Sequence, residues 1–462
     1  MSLTVPENLA VENQINLFFH NHSLGQLLRQ SNVRKVRGIS LDTLFQFLLS
    51  LAFTGKNLFC LLDSSDGSVQ GVRKDAAYRL LNSVNANWRR FLLFLSTRII
   101  VDRLEPMTSD ANRKVLIVDD TLYRRDRSKK VELLARVHDH NSGLYHRGFR
   151  MLTLGWSDGG SFLPMMFSLL SSATEKSRLV PMRENLDKRT NGYKRRQESI
   201  RKSPDVLIDM IKLVVSAGVT ARYLLFDSWF AFPATICTLR SLGMHTICML
   251  KDMPNIRYTF EGKQFTLKAL YKQVKKRPGR AKILASCLVA IGGDKASCQA
   301  KIVFVRDRST KSWLGLLSTD TALTDEEIIT LYKRRWDIEV FFKMAKSFLN
   351  LAKECQSRSY DALVAHSTLV CCRYIMLETA RRTTADPRTL GRLFHATCDE
   401  IRQAKFVDAL ALLLSLLEQT LLNIVGFTKE QIRQWVAQFI AMLPPVFRNP
   451  LLLMVTNEAI RY

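Results

Sequence analysis

Two short apolar runs, each followed directly by aspartate, constrain the fold of this chain most strongly. The first, residues 115–118, leads into Asp119 and Asp120, and the second, residues 222–226, leads into Asp227. Continuous apolar runs of this length are typical of strands buried on both faces of a parallel sheet. Helical patterns and further strands follow each run, so we expect an α/β domain. Polar groups at the carboxyl ends of parallel strands meet at one edge of the sheet, where such domains bind their ligands.

Changes in the hydropathy pattern divide the chain into regions. We predict an N-terminal helical, DNA-binding region at 1–105, an α/β core at 106–251 and 320–350, an antiparallel β-rich insertion at 252–319, and a C-terminal helical region at 351–462. The N-terminal helices fit a helix–turn–helix module and a plain helical bundle equally well. The leucine-rich stretch at 410–417 fits core packing, and also a dimer surface.

Charge is the unusual feature of the composition. The chain has 68 Lys and Arg against 42 Asp and Glu, a formal net charge of +26. Such an excess predicts a polyanionic partner, because binding phosphates releases their condensed counterions. Basic tracts at 124–130, 188–202 and 272–282 surround the aspartates in sequence, and we expect them to be exposed. They favour a DNA channel over an anionic membrane, since no amphipathic helix with an opposing Trp/Phe face accompanies them.

The cysteines and the hydropathy exclude other classes of protein. The nine cysteines are scattered and form no C-x-x-C pair, which disfavours a zinc cluster and a disulfide framework. The most apolar stretch, 409–427, is interrupted by polar residues, and a membrane span needs about 20 apolar residues. We therefore expect a cytoplasmic protein with no membrane partner. His138-Asp139-His140 looks like a metal motif, but no third ligand has zinc spacing, and polar structure is the better interpretation.

One predicted helix, running unbroken from about 325 to 348, carries an unusual polar face. At about 100° per residue, Tyr332, Arg335, Glu339 and Lys346 fall within an arc of about 60°. The apolar residues of this helix lie on the opposite side. A solvated charged face is the ordinary interpretation of such a pattern. A single acid among aromatic and cationic neighbours also suits one metal ligand flanked by groups that hold phosphates.

The spacing Tyr332-x2-Arg335-x3-Glu339-x6-Lys346 resembles the Y-R-E-K signature of bacterial DDE transposases of the insertion sequence 4 type. The strand-end aspartates and the β-rich insertion before the glutamate helix are also similar to that family. The resemblance covers about half the chain, from Lys114 to Leu351. It implies a ribonuclease H-like core that cuts DNA at transposon ends and joins the 3′-hydroxyl to target DNA, in some members through a hairpin.

The resemblance also implies roles for individual residues. Asp120, Asp227 and Glu339 would bind two Mg²⁺ ions, which Mn²⁺ can replace. Because the family pattern uses the acid directly before the threonine, Asp119 is the alternative ligand or supports the site from behind. The implied DNA contacts are Tyr332 and Arg335 on a phosphate, Lys346 on the backbone near the scissile site, Trp336 beside them, and Trp313 on a flipped base.

The implied partners are double-stranded DNA, as terminal inverted repeats and as target, and a second copy of the chain, in a homodimer on the DNA. No small-molecule substrate is implied. Two other functions stay open. One is a domesticated transposase that binds DNA as a regulator without catalysis, and the other is a metal-dependent nuclease that performs no strand transfer.

Overall fold

The computed structural model describes residues 14–444 and 448, apart from 64–67, 70–71, 110–111, 140–141, 294–295, 308–311 and 423–427. Its N-terminal part is mainly helical. The elements are α1 (Gln14–Asn21), α2 (Leu24–Gln30), α3 (Leu41–Ser50), α4 (Leu58–Asp63), the hairpin β1 (Ser68–Val69) and β2 (Val72–Arg73), α5 (Lys74–Leu81) and α6 (Trp88–Ile99). The apolar side chains of these helices join the same core as the central sheet. Helices α5 and α6 are separate, and Asn87 caps the start of α6 by accepting a hydrogen bond from the Arg90 amide.

The α/β core follows the N-terminal helices. In chain order it consists of β3 (Val115–Arg124), β4 (Ala135–His138), β5 (Tyr145–Ser157), β6 (Phe162–Leu170), α7 (Asn191–Ser199), α8 (Ser203–Ser216), β7 (Tyr223–Phe226), α9 (Pro233–Ser241) and β8 (His245–Leu250). Strand β3 does not stop at the aspartates, because its pairing with β5 continues as far as Arg124 opposite Gly148.

The predicted insertion contributes five strands and a helix. They are β9 (Tyr258–Phe260), β10 (Lys263–Phe265), α10 (Leu267–Gln273), β11 (Ile283–Gly293), β12 (Ala296–Arg306) and β13 (Trp313–Ser318). These strands extend the core sheet, which has 11 strands in the order β10-β9-β11-β12-β13-β8-β7-β3-β5-β4, with β6 beside β5. Strands β3, β7 and β8 are parallel, and β13 pairs antiparallel with β8. The start of β13, the end of β12 and the start of β11 therefore lie at the carboxyl edge of the parallel strands.

Five helices complete the described chain. They are α11 (Asp325–Lys333), α12 (Trp336–Ser347), α13 (Tyr360–Thr383), α14 (Leu390–Leu422) and α15 (Lys429–Met442). Thr324 and Glu327 form the capping box of α11. The single helix predicted from 325 to 348 is wrong in one respect, because a turn at Arg334 and Arg335 separates α11 from α12. None of the helices in the described residues is long and apolar enough to cross a membrane.

The cations of the basic tract at 188–202 are exposed, as predicted from their charge, except at Arg195 and Arg196. Helix α7 turns Arg196 inward, where its guanidinium is only 1% exposed. It makes paired hydrogen bonds of 2.6 and 2.8 Å to Glu132 and of 2.9 and 2.7 Å to Asp361. The neighbouring Arg195 lies 3.4 Å from Asp361. Two carboxylates from distant segments thus neutralise these cations inside the protein.

Candidate active site

The register of the parallel strands brings two of the candidate acids together. Val115 pairs with Tyr223 and Ile117 with Leu225. Continuing this register by two residues sets Asp119 beside Asp227, and paired residues of parallel strands point to the same face. Successive residues of a strand point to opposite faces, so Asp120 lies on the other one.

The glutamate helix packs against the face that carries Asp119. Arg335, at the start of α12, donates a hydrogen bond of 3.0 Å to Asp119 Oδ2 and pairs through its other terminal nitrogen with Glu339 Oε1. One guanidinium therefore bridges the Asp119 carboxylate on β3 and the Glu339 carboxylate on α12. Further along α12, Lys346 Nζ lies 2.5 Å from the hydroxyl of Thr121, which shares the face of Asp119. The helix thus runs alongside the end of β3.

The charges at this edge are not balanced. Burial, and then the nearby carboxylate of Asp227, raise the pKa of Asp119 to about 7, although Arg335 opposes the shift. Crowded carboxylates of this kind attract a cation, and carboxylate oxygens are the donors that Mg²⁺ prefers. Within the described residues, no three His, Cys, Asp or Glu side chains are already arranged as a metal site. The carboxylates of Asp119, Asp227 and Glu339 are donors that fit a divalent cation. In this arrangement two of them, Asp119 and Glu339, are bound to Arg335.

Asp120, the ligand favoured from sequence, has different surroundings. It pairs across the strands with Leu152, so Arg150 is its diagonal neighbour on β5. Arg150 Nη1 donates a hydrogen bond of 2.7 Å to Asp120 Oδ1, and Arg150 Nη2 donates one of 2.7 Å to the carbonyl oxygen of His138. Since Asp227 and the Glu339 helix are on the side of Asp119, the geometry favours Asp119 over Asp120 as their partner.

The predicted DNA-contacting residues of the helix pair differ in exposure. Tyr332 is half-buried, its ring centre lies 6.0 Å from the Arg335 guanidinium, and burial raises the pKa of its hydroxyl. Lys346 is also half-buried, and burial lowers the pKa of its amine. Trp336 is instead 62% exposed. The site therefore has a partly buried Tyr–Arg–Glu–Lys side and an exposed indole next to it.

Trp313 lies at the start of β13, two strands from β7 and at the same edge. Neighbouring strands are about 4.8 Å apart, so this is a lateral separation of about 10 Å. Its ring stacks on Tyr271 with a centroid distance of 4.6 Å and meets Phe304 edge-on at 5.2 Å. One face of the indole is thus already occupied, and its role on a flipped base stays a prediction.

The histidine motif is only partly covered by the structure. His138 is at the end of β4, where its ring meets Tyr145 edge-on. The side chain of Asp139 accepts a hydrogen bond from Ser142. His140 lies outside the described residues. Polar structure at the edge of the sheet remains the interpretation of this motif.

Two family models match separate parts of the chain. Residues 64–260, which include Asp119, Asp120 and Asp227, match the DDE superfamily endonuclease model. Residues 293–370, which include Trp313 and the Tyr332–Lys346 face, match the model of the archaeal transposase ISC1217. These matches support a DDE transposase. No curated protein matches the chain. A mixed α/β fold with one large mixed sheet is consistent with a DDE nuclease, and DDE nucleases generally depend on divalent metals.

Two residues beside the site were not found from the sequence. Arg150 gave no signal, because its pairing with Asp120 depends on the register of β5. Trp229 follows Asp227 by two residues, and its amide donates a hydrogen bond of 2.9 Å to Asp227 Oδ1. An aromatic residue so close to a strand-end aspartate was the signal that sequence reasoning missed.

Proposed function

We propose that this chain is a DNA transposase of the insertion sequence 4 type, which cleaves transposon ends and joins the 3′-hydroxyl to target DNA. The observation that carries the proposal is the single guanidinium of Arg335 shared by Asp119 and Glu339, with Asp227 in register beside Asp119. Three acids far apart in sequence converge there within a Tyr–Arg–Glu–Lys frame. If this were an ordinary solvated helix face, Arg335 would have no reason to pair with Asp119 of the central sheet.

In this proposal Asp119, Asp227 and Glu339 hold Mg²⁺ or Mn²⁺, and Asp120 supports the site from the other face of β3. The ions would activate the attacking oxygen and stabilise the leaving one. Arg335 would exchange its carboxylate partners for a DNA phosphate, to which its planar donors are well matched. Tyr332 and Lys346 would orient the same strand. The partly buried setting of these groups would strengthen each charge interaction.

The distribution of exposed cations supports DNA as the partner. The loop at 275–282 lies at the carboxyl edge of the sheet, and its cations are exposed; they are Lys275, Lys276, Arg277, Arg280 and Lys282. It enters β11, five strands from β3, which corresponds to about 24 Å. The loop after β3 adds Arg127, Lys129 and Lys130, also exposed. A duplex lying along this edge would meet both loops, so counterion release would favour binding.

The flanking regions complete the proposal. The N-terminal helices would bind DNA outside the cleavage site, and the C-terminal helices would pair two copies of the chain on the DNA. Exposed apolar side chains on the last two helices support that second role; they include Leu413, Leu416, Leu417, Trp435 and Phe439.

The test uses the short inverted repeats expected on either side of the reading frame. The wild-type chain should nick them with Mg²⁺ or Mn²⁺ and not with EDTA. Asp119→Asn, Asp227→Asn and Glu339→Gln should abolish nicking and still bind the DNA. Full nicking by any one of these variants would remove that residue from the site. Binding without metal-dependent nicking by the wild-type chain would favour the domesticated regulator.

A second assay separates the transposase from a plain nuclease. A repeat end that is already cut, with a free 3′-hydroxyl, is mixed with a target plasmid and metal. A transposase should join the end to the plasmid, giving a product larger than the plasmid alone. Nicking without joining would instead identify a nuclease.

A further inference from the structure

An exposed aromatic side chain lies beside the candidate site without a role in the proposed cleavage. Trp229 is 45% exposed, and Phe232, three residues later, is 39% exposed. Both lie in the turn that joins the end of β7 to α9. The bond from the Trp229 amide to Asp227 Oδ1 fixes this turn against the end of the strand. The indole is therefore anchored through its backbone, while almost half of its side chain faces solvent.

The indole is also supported by a cation. The Arg150 guanidinium carbon lies 5.8 Å from the centre of the Trp229 ring. Arg150 is itself held from two sides, by the Asp120 carboxylate and the His138 carbonyl oxygen. A guanidinium fixed in this way keeps its cation–π geometry without losing further side-chain freedom. Asp120 thus holds Arg150 in place, and Arg150 in turn supports the ring of Trp229.

A supported, half-exposed indole next to a guanidinium suits a flat, electron-rich ligand attached to a negative backbone. Unpaired nucleobases have that chemistry, and stacking on an aromatic side chain accepts any base because each has a π face. An apolar protein partner would not account for the fixed guanidinium beside the ring. We propose that Trp229, supported by Arg150 and Asp120, stacks on an unpaired base of the DNA strand held at the site.

This inference rests on the proposed function, since it takes DNA as the ligand, but it assigns a new binding site on the Asp120 side of β3. Asp120 acts there as a positioning residue, and the two adjacent aspartates have separate tasks. Asp119 serves the phosphate chemistry and Asp120 the base. The base can come from a single strand or be flipped out of a duplex, and both sources present the same ring.

The experiment measures binding in EDTA, so that no cleavage takes place. The probes are a fluorescein-labelled oligothymidylate of about 20 nucleotides and an abasic strand of the same length and charge, compared by fluorescence anisotropy. The wild-type chain should bind the strand with bases more tightly. Trp229→Ala should weaken that binding about tenfold and leave abasic binding nearly unchanged, because one stacked base is worth about 1–3 kcal/mol. Trp229→Phe should retain most of the preference, and Arg150→Gln should lose part of it.

The matched control is Leu213→Ala, because Leu213 is an apolar side chain of similar exposure, 43%, on α8, where no DNA or dimer contact is proposed. It should bind both probes as the wild type does. A duplex with one unpaired thymine, compared with a fully paired duplex, distinguishes a flipped base from a single strand. Thermal unfolding of each variant checks that it is folded, and Trp229→Phe carries the test if the alanine variant is not.

The proposal is overturned if the wild-type chain shows no preference for bases, if Trp229→Ala binds like the wild type, or if it weakens binding of both probes equally. These results would leave the cleavage proposal intact, because that depends on the variants of Asp119, Asp227 and Glu339. Conversely, normal cleavage by those variants would overturn the metal site without affecting the base preference in EDTA.

Discussion

Two clusters of arginine and carboxylate in this molecule use the same chemistry to opposite effect. The edge cluster has three carboxylates, Asp119, Asp227 and Glu339, and one guanidinium, that of Arg335, which pairs with Asp119 and Glu339. The buried network has two of each, with Glu132 and Asp361 facing Arg195 and Arg196. Only the buried network is neutral. The edge cluster retains an excess of negative charge.

The pKa values reflect this difference. Burial opposes ionisation of Glu132, but the hydrogen bonds and charge of Arg196 outweigh it and hold the pKa of Glu132 below its usual range. Burial and the neighbouring Asp227 instead raise the pKa of Asp119 to about 7. A neutral network is what a folded core requires, because an unpaired buried charge is costly. An uncompensated cluster lowers stability and is retained where a ligand supplies the missing charge.

The largest effect expected from this comparison is on cleavage by Asp119→Asn. If the edge cluster holds the metal ions, loss of one carboxylate should lower the cleavage rate about 10³-fold or more. The thermal unfolding midpoint should stay level or rise, because the substitution removes one of several crowded negative charges. Gel assays on the inverted repeats and calorimetry measure the two quantities.

The matched variant is Asp120→Asn. It changes a residue that acts through Arg150, and we expect a loss of about 10- to 100-fold. The reverse order, with Asp120→Asn inactive and Asp119→Asn active, would return the ligand to the position favoured by the sequence pattern.

The buried network should show its importance in stability. Arg196→Met leaves Glu132 and Asp361 without their main cation, so we expect the free energy of unfolding to fall by about 3–5 kcal/mol. Denaturant titration measures it. The control is Arg189→Met in the same basic tract, where Arg189 and its partner Asp187 are exposed and the free energy of unfolding should stay nearly unchanged. Equal effects of the two substitutions would mean that the network contributes nothing beyond a surface pair.

The sequence predicts the strands and the candidate acids better than it predicts these clusters. The apolar runs before Asp119 and Asp227 locate both strands, because buried parallel strands have a distinctive composition, although β3 continues past Asp119 to Arg124. A period of two residues also shows that Asp119 and Asp120 face opposite ways. Which of them lies near Glu339 depends on which face of the sheet α12 covers. The hydrogen bond from Arg335 to Asp119 fixes that face, and these two residues are 216 positions apart in sequence.

The same reason explains why the prediction of exposure for the basic tract fails at Arg196. Arg196 is surrounded in sequence by cations, so local charge indicates an exposed segment. Its partner Asp361 is 165 residues away on α13. The turn at Arg334 was likewise invisible to a periodicity argument, because helical spacing continues through it. Long-range pairing decides burial where local composition is ambiguous.

The next largest effect is expected from Mg²⁺, which should bind the edge cluster and not the buried network. A cation that binds only the folded edge cluster stabilises the protein by RT ln(1 + [L]/Kd), about 2.7 kcal/mol at one hundred times Kd. We therefore expect Mg²⁺ to raise the unfolding midpoint of the wild-type chain and EDTA to reverse the increase. Glu339→Gln should abolish the shift, whereas Arg189→Met should retain it. An equal shift in Glu339→Gln would place the binding of Mg²⁺ elsewhere.

The smallest expected effect concerns a second buried cluster in which positive and negative charges balance. Lowering the pH should upset that balance by protonating a histidine. His366 is buried on α13, 3.9 Å from Glu354, and Glu354 also pairs with Arg373 at 2.9 Å. Burial, helped by Arg373 and Arg125, lowers the pKa of His366 to about 4, although Glu354 opposes the shift. Neutral His366 leaves Glu354 and Arg373 matched. Protonation would add an uncompensated positive charge inside the core.

The sign of the pH dependence follows from this shift. The folded pKa is below the ordinary value of 6.5, so the unfolded chain binds more protons between pH 6.5 and 4. Stability from this group is complete above about pH 6.5 and is lost as the pH falls, by about 2 kcal/mol between pH 7 and 5. His366→Gln should remove that part of the slope, while the part from His22, whose pKa is also lowered to about 4, remains. Asp119 contributes to the pH dependence with the opposite sign, but equally in both proteins, so its contribution cancels when the variant is compared with the wild type. Identical slopes of the free energy of unfolding against pH would show that His366 is protonated at no cost to the folded state.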